Sequence, residues 1–140
     1  MRLDRPATQP VQNPPVERED IAFGHPSEGE FAQILDFYGI EWQYEPVTFP
    51  LAWDDQGNVT EAFSPDFYLV AQDMYVELTT LRSRLLRVKR HKVRRLKELY
   101  PDIHVRLWRR RDFEYLLQRF GQQDRHDSLV GQDALSSQHE

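Results

Sequence analysis

Positive charge is concentrated in one stretch of this 140-residue chain, from position 82 to position 111. The stretch holds thirteen of the 18 lysines and arginines but only two of the 23 acidic residues, so it carries +11 while the rest of the chain carries −16. Nine of the cations fall within residues 82–97, where no acid pairs with them and like charges repel. Binding to nucleic-acid phosphates would relieve that repulsion. The alternative interpretation is a solvent-exposed basic helix face that only keeps the protein soluble.

Composition excludes several other classes of protein. The chain has no cysteine, which removes disulfide frameworks, thiolate nucleophiles and cysteine-based zinc sites. No apolar run approaches the roughly 18 residues of a membrane helix, and residues 1–15 lack the apolar segment of a secretory signal. With 8 Phe, 6 Tyr and 3 Trp, the chain has enough large side chains for a packed core. We therefore expect a soluble, cytoplasmic protein with one folded domain and no membrane partner.

Proline and turn residues divide the chain into three parts. Residues 1–26 hold five of the nine prolines and predict a flexible arm, residues 27–120 are the predicted domain, and the polar residues 121–140 predict a disordered tail. Within the domain, Ser27 and Glu30 form a capping-box pattern at the start of a first helix that ends at Gly39. The following elements are predicted strands 42–49, 58–70 and 74–79, a basic helix 82–99, a strand 103–108 and a last helix 112–120.

The resulting order, α-β-β-β-α-β-α, favours an α/β fold with a mixed sheet flanked by helices. Two acidic residues stand in this predicted sheet: Asp66 follows Pro65 in the second strand, and Glu77 lies in the third. A buried strand excludes carboxylates unless they are paired or bind a cation. If the two strands are neighbours, both carboxylates reach one site, where Mg²⁺ would hold them and activate a water for phosphodiester hydrolysis. The alternative is a turn aspartate and a glutamate paired with a helix arginine.

The sequence Pro65-Asp66, followed after ten residues by Glu77-Leu78-Thr79, resembles the signature of the PD-(D/E)XK nucleases. The resemblance covers residues 27–120, because the element order is similar to the αβββαβ core of these restriction-endonuclease-like enzymes. Holliday-junction resolvases, very-short-patch-repair endonucleases and the nuclease subunits of bipartite transposases are nearest in size among its members.

The resemblance implies an activity and a set of site residues. The activity would be metal-dependent endonucleolytic hydrolysis of DNA, with Mg²⁺ or Mn²⁺ as cofactor. Asp66, Glu77 and the carbonyl of Leu78 would bind the ion. Glu30, the acid of the first helix, would assist because an acid of that helix approaches the metal in many members. Pairing of two copies, as in nucleases that cut both strands, stays an open alternative.

Thr79 occupies the position of the signature lysine. Its hydroxyl can donate a hydrogen bond but cannot stabilise a hydroxide by charge. Lys89 is the candidate substitute, because it lies in the apolar stripe of the basic helix, three residues after Leu86 and four before Val93. A lysine there is costly unless it meets a carboxylate or extends past the helix edge. We predict that Lys89 reaches Glu77 and orients the attacking water; a lysine that only extends into solvent is the alternative.

Other cations of the basic stretch are predicted to bind DNA phosphates. These residues are Arg84, Arg87, Lys92, Arg94, Arg95 and Arg110. Phosphate contacts give affinity without reading bases, so structure-selective or partner-directed cleavage is expected. Two rival predictions remain: a non-catalytic nucleic-acid-binding module on the same fold, its activity lost with the signature lysine, and an interaction domain whose basic helix binds an acidic partner.

Overall fold

The computed structural model describes residues 9–79 and 83–109 together with positions 111, 112, 115 and 118. Over these residues the chain is a mixed α/β structure with two helices and two sheets. The strands are β1 (Val11–Gln12), β2 (Trp42–Tyr44), β3 (Val47–Trp53), β4 (Val59–Phe63), β5 (Phe67–Leu69), β6 (Met74–Leu78) and β7 (Val105–Trp108); the helices are α1 (Pro26–Phe37) and α2 (Ser83–Leu99). A short 3-10 helix, Arg18–Asp20, precedes α1.

Strands β2, β5, β6 and β7 form a four-stranded mixed sheet in that order. The pairs β2–β5 and β5–β6 are antiparallel, whereas β6 and β7 are parallel, with Val76 opposite Arg106. Parallel neighbours require a crossover connection, and α2 lies within it. The second sheet has the order β1-β3-β4 and is antiparallel. Strand β6 is therefore an interior strand, paired along both of its edges.

Two apolar clusters form the core, one on each face of the mixed sheet. The first joins α1 to the sheet and includes Phe31, Leu35 and Val76. The second joins α2 and β3 to the sheet and is centred on residues such as Phe49 and Leu96. Side chains of a strand alternate between its faces. In β6, Val76 and Leu78 belong to the first cluster and Tyr75 packs on the second, so Glu77 shares the face that α2 covers.

Helix α1 begins two residues earlier than the capping pattern predicts. Its N-cap is His25, whose Nδ1 accepts a hydrogen bond from the Ser27 amide at 3.0 Å, and Pro26 fills the first turn. Proline suits that position because its fixed φ is helical and no amide partner is needed there. The capping box predicted for Ser27 and Glu30 is therefore wrong. Gly39, with φ +71°, follows the helix end, which confirms the predicted stop.

Two of the predicted strands are divided in the structure. Strand 42–49 is separated into β2 and β3 around Glu45, which has a φ of 44°. Strand 58–70 is separated into β4 and β5 by Ser64, Pro65 and Asp66, where proline lacks the amide that a strand ladder needs. In both cases the chain passes from one sheet to the other. Asp66 consequently lies at the entrance to β5, at one end of the mixed sheet.

Part of the segment predicted as a flexible arm contacts the domain. Strand β1 pairs with β3, with Val11 opposite Thr48. The ring of Phe23 packs edge-on against Tyr44 at 4.9 Å, and the Arg18 guanidinium lies 4.2 Å from the centre of the Trp42 ring. These contacts belong to residues 9–25. Residues 1–8 and the predicted tail 121–140 lie outside the described residues, and only three positions of the predicted last helix, 112–120, fall within them.

In the described part of the chain, no helix combines the length and the apolar character needed to traverse a lipid bilayer.

Candidate functional site

Asp66 and Glu77 face each other at one end of strands β5 and β6. The strand register places Phe67 opposite Val76, so the adjacent pair of positions is Asp66 and Glu77. Each carboxylate accepts a hydrogen bond from a backbone amide of the other strand. Glu77 Oε1 accepts from the Asp66 amide at 3.0 Å, and Asp66 Oδ2 accepts from the Leu78 amide at 2.9 Å. These reciprocal bonds fix both side chains and engage one oxygen of each.

The two carboxyl groups are buried, each with only 6% of its residue surface exposed. Burial, together with the charge of Glu77, raises the pKa of Asp66 to about 8. Burial also raises the pKa of Glu77, although the nearby Lys89 ammonium acts in the opposite direction. Two buried, mutually repelling carboxylates are stabilised by a proton or a cation between them.

Lys89 brings a cation to this pair from α2. Its Nζ lies 3.2 Å from Glu77 Oε2 and donates a hydrogen bond to the carbonyl oxygen of Leu78. The side chain is 30% exposed, whereas that of Glu77 is 8% exposed. The ammonium thus stands at the boundary between the buried pair and solvent. This is the contact that the position of Lys89 in the apolar stripe of the helix predicts.

A cleft of about 470 Å³, the site cleft, opens beside the acidic pair. It is lined by His25, Ser27, Glu28, Leu78, Thr79, Leu85 and Lys89. The start of α1, the end of β6 and the first turns of α2 therefore meet at one place. The α1 acid that lines the cleft is Glu28, whose charge adds to burial in raising the pKa of both Asp66 and Glu77. Glu30, the acid predicted for this role, is half-buried on α1 and is not a lining residue.

Glu28 is held in place by two hydrogen-bond donors. The Tyr44 hydroxyl donates to Glu28 Oε1 at 2.6 Å, and the Gly24 amide donates to the same oxygen at 3.0 Å. Burial and the bond to Glu28 raise the pKa of Tyr44, which keeps the phenol protonated. Glu28 precedes Phe31 by three residues and Leu35 by seven, so it continues the buried stripe of α1. That spacing is the sequence signal for Glu28, whereas the capping-box pattern points to Glu30.

His25 is a second lining residue that the sequence does not single out. The sequence places it in the predicted arm without a ligand partner. In the structure its Nδ1 accepts from the Ser27 amide and lies 2.9 Å from the Ser27 hydroxyl oxygen. In the neutral ring Nε2 then carries the proton. The sequence signal that His25 is the N-cap of α1 is Pro26, because proline in the first turn marks the preceding residue as the cap.

Thr79, at the position of the signature lysine, is 8% exposed. Its amide donates to the Trp108 carbonyl at 2.9 Å and so extends the pairing of β6 with β7. Across the described ranges, no group of three or more His, Asp or Glu side chains is arranged to hold a metal ion. The oxygen donors assembled at the site are two carboxylates and the Leu78 carbonyl.

The predicted DNA-contact residues have different surroundings. Arg84, Arg87 and Arg94 are exposed, and Lys92 is half-buried. Arg95 uses part of its hydrogen-bonding capacity inside the domain, because its Nε donates to the Leu51 carbonyl at 3.0 Å. Arg110 lies outside the described residues.

A second groove of about 620 Å³, the basic groove, runs between α2 and β7 and shares Thr79 with the site cleft. Its apolar lining comes from both elements and includes Leu86, Val93, Val105 and Leu107. Its charged lining consists of five cations and two acids. The cations are Arg90, Arg94, Lys97, Arg106 and Arg109, and the acids are Glu98 and Asp112. The groove therefore carries a positive excess next to the site cleft. Of its five cations, only Arg94 is among the predicted DNA-contact residues.

Comparison of the chain with protein-family models, with curated proteins and with solved structures finds no match.

Proposed function

We propose that this protein is a metal-dependent endonuclease of the PD-(D/E)XK type, which hydrolyses phosphodiester bonds of DNA. The observation that carries the proposal is the facing pair of Asp66 and Glu77, with the Lys89 ammonium 3.2 Å from Glu77 Oε2. A restriction-endonuclease-like core is part of the proposal. Its support is the parallel pairing of β6 with β7 through a helical crossover, next to the antiparallel strand β5.

The donor set suits a hard divalent ion, Mg²⁺ or Mn²⁺. Asp66 and Glu77 each keep one oxygen outside their reciprocal backbone bonds, and the Leu78 carbonyl lies beside them. All three donors are oxygens, and Mg²⁺ is commonly held by one or two carboxylates while it keeps several waters. These residues would hold the ion, which would supply Lewis-acid stabilisation of the phosphate and a water of lowered pKa.

The chain's own residues would perform the remaining tasks in the site cleft. Lys89 places a positive charge at the boundary of the cleft, where it would polarise the attacking water in place of the absent signature lysine. Glu28, fixed by Tyr44 and Gly24, is a carboxylate in the same cleft and would accept a hydrogen bond from that water. Positioned acid–base groups of this kind typically contribute about 10² to 10⁴-fold to the rate.

The substrate class is supported by the basic groove. Its five cations adjoin the site cleft through Thr79, so a phosphate chain bound in the groove would lead to the acidic pair. Lys and Arg contacts to phosphates give salt-dependent affinity without base readout. The proposal therefore includes cleavage directed by DNA structure or by a partner protein rather than by a base sequence.

Nicking of supercoiled plasmid in Mg²⁺ or Mn²⁺ tests the proposal. Wild type should cut, chelator should abolish cutting, and Asp66→Asn or Glu77→Gln should lower the rate by about 10² to 10³-fold, as the loss of a key electrostatic contact does. Asp55→Asn, which removes an exposed acid of the β3–β4 turn, is the matched control and should cut like wild type. Cleavage that persists in both site variants would contradict the proposal.

A non-catalytic nucleic-acid-binding module is the second candidate function. The observation that favours it is Thr79, a neutral residue at the position where the signature has a lysine. Binding to labelled duplex and branched DNA, measured beside cleavage, separates the two functions. A binding module would bind these DNAs equally well with Asp66→Asn and would cut none of them.

A further inference from the structure

The Lys89 ammonium occupies the position that a divalent ion would need. Two of the three oxygens assigned to the ion are Glu77 Oε2 and the Leu78 carbonyl oxygen, and both are contacted by Lys89 Nζ. The third donor, Asp66, is fixed next to them by its bond to the Leu78 amide. The same small set of oxygens therefore serves one internal cation and one proposed external cation.

We infer that Lys89 and the divalent ion compete for Glu77 Oε2 and the Leu78 carbonyl. In the metal-free protein Lys89 is an internal counter-ion of the acidic pair, and metal binding moves its ammonium from these oxygens into the site cleft. This inference rests on the proposed metal site, but it concerns metal binding and does not depend on cleavage.

The size of the two cations makes simultaneous binding unfavourable. Mg²⁺ binds oxygen at about 2.1 Å, so an ion on Glu77 and Leu78 would lie within a few ångströms of an ammonium that held the same oxygens. Like charges at that distance repel strongly where water is largely excluded, as it is around the 8%-exposed side chain of Glu77. One of the two cations must therefore leave.

Lys89 has room to leave because its side chain lines the site cleft and is 30% exposed. Its long flexible stem allows the charged end to move while the backbone of α2 stays in place. The exchange also explains how the acidic pair is tolerated without metal, since a buried charge without a partner is strongly destabilising. Lys89 would thus stabilise the metal-free fold and become available to the attacking water after the ion arrives.

Mn²⁺ affinity of the full chain without DNA, measured by isothermal titration calorimetry, tests the competition. Lys89→Met should bind Mn²⁺ at least about tenfold more tightly than wild type, because one closely placed positive charge is removed. Lys92→Met removes the same charge from a half-buried position of the same helix and should change the dissociation constant by less than about twofold. Equal or weaker affinity in Lys89→Met, or an equal gain in Lys92→Met, would overturn the inference.

Two further measurements keep the test decisive. Lys89→Gln retains a hydrogen-bond donor for the Leu78 carbonyl and should also bind Mn²⁺ more tightly if Lys89→Met does not fold. Glu77→Gln should lose binding at this site, which locates the ion. Tighter binding in the Lys89 variants of a protein that cuts no DNA would uphold the competition and contradict the endonuclease. Cutting by wild type, together with unchanged Mn²⁺ affinity in both Lys89 variants, would support the endonuclease and contradict the competition.

Discussion

Glu28 and Glu30 lie two residues apart on one helix, yet only Glu28 lines the site cleft. Glu28→Gln keeps an acceptor for Tyr44 and Gly24 but removes the charge, so it should lower the nicking rate by about 10 to 100-fold. Glu30→Gln should lower the rate less than Glu28→Gln does, because Glu30 does not line the site cleft. Initial nicking rates at saturating Mn²⁺ give the comparison. A loss of nicking rate in Glu30→Gln but not in Glu28→Gln would mean that Glu30 is the α1 acid that acts at the site.

The raised pKa of Asp66 has a consequence for stability. Burial and Glu77 move the pKa from an ordinary 3.8 to about 8, so between these values the native state holds a proton that the unfolded chain has released. The free energy of unfolding of metal-free protein should therefore fall as pH rises from 4 to 8, by at most about 1.4 kcal/mol per pH unit from this group.

Asp66→Asn removes this titration and isolates its contribution. Relative to wild type, the variant should gain stability steadily from pH 5 to pH 8, measured by urea denaturation in chelator. Asp55→Asn, the exposed control, should follow the wild-type pH dependence. A constant difference between Asp66→Asn and wild type across this range would show that Asp66 titrates normally in the native state.

At the scale of elements, local patterns predicted α1 and α2 better than the strands. The spacing of Leu86, Lys89 and Val93 predicted both α2 and the inward position of the lysine. The division at Glu45 was missed because it depends on pairing between distant segments, whereas Pro65 is a local signal for the division between β4 and β5. Nothing in the residue type of Glu45 indicates its positive φ, which few non-glycine residues adopt. Glu28 and His25 were missed although local signals exist for both, because the capping-box pattern places the N-cap of α1 at Ser27 rather than at His25.

DNA binding in the basic groove and DNA binding on the outer surface of α2 would respond differently to mutation. Arg90 and Arg106 line the groove from two elements, whereas Arg84 and Arg87 are exposed near the start of α2 and do not line it. Arg90→Gln with Arg106→Gln should weaken binding to labelled duplex DNA and reduce the salt dependence by about two phosphate contacts. Arg84→Gln with Arg87→Gln removes the same charge and should have a smaller effect on both quantities.

Fluorescence anisotropy at several salt concentrations measures both double variants. If the salt dependence of binding has the same slope in the two double variants, the phosphates contact the whole surface of α2 rather than the basic groove alone. A larger change in the Arg84 and Arg87 variant would favour the contacts predicted from sequence alone.

For the whole molecule, the segment before α1 belongs to the structural unit that positions the site. Phe23 packs with Tyr44, and the neighbouring Gly24 amide binds Glu28. Phe23→Ala should therefore reduce the free energy of unfolding by about 2 to 3 kcal/mol, somewhat less than for a fully buried phenylalanine. Val16→Ala, at a position that is 59% exposed, should change it by less than about 0.5 kcal/mol. Urea denaturation measures both variants, and a change below about 0.5 kcal/mol in Phe23→Ala as well would mean that this packing adds nothing to the domain.

The reciprocal bonds between Asp66 and Glu77 also have an evolutionary consequence. Each carboxylate accepts a hydrogen bond from a backbone amide of the opposite strand, and the side-chain oxygen of Asn or Gln could accept the same bond. The buried charge of Asp66 itself lowers stability near neutral pH, so selection for a stable domain alone would favour asparagine at position 66. In a descendant that had lost the proposed activity, Asp66 should therefore be replaced readily. Retention of both acids among descendants would indicate that the charges still serve a function such as the proposed cation binding.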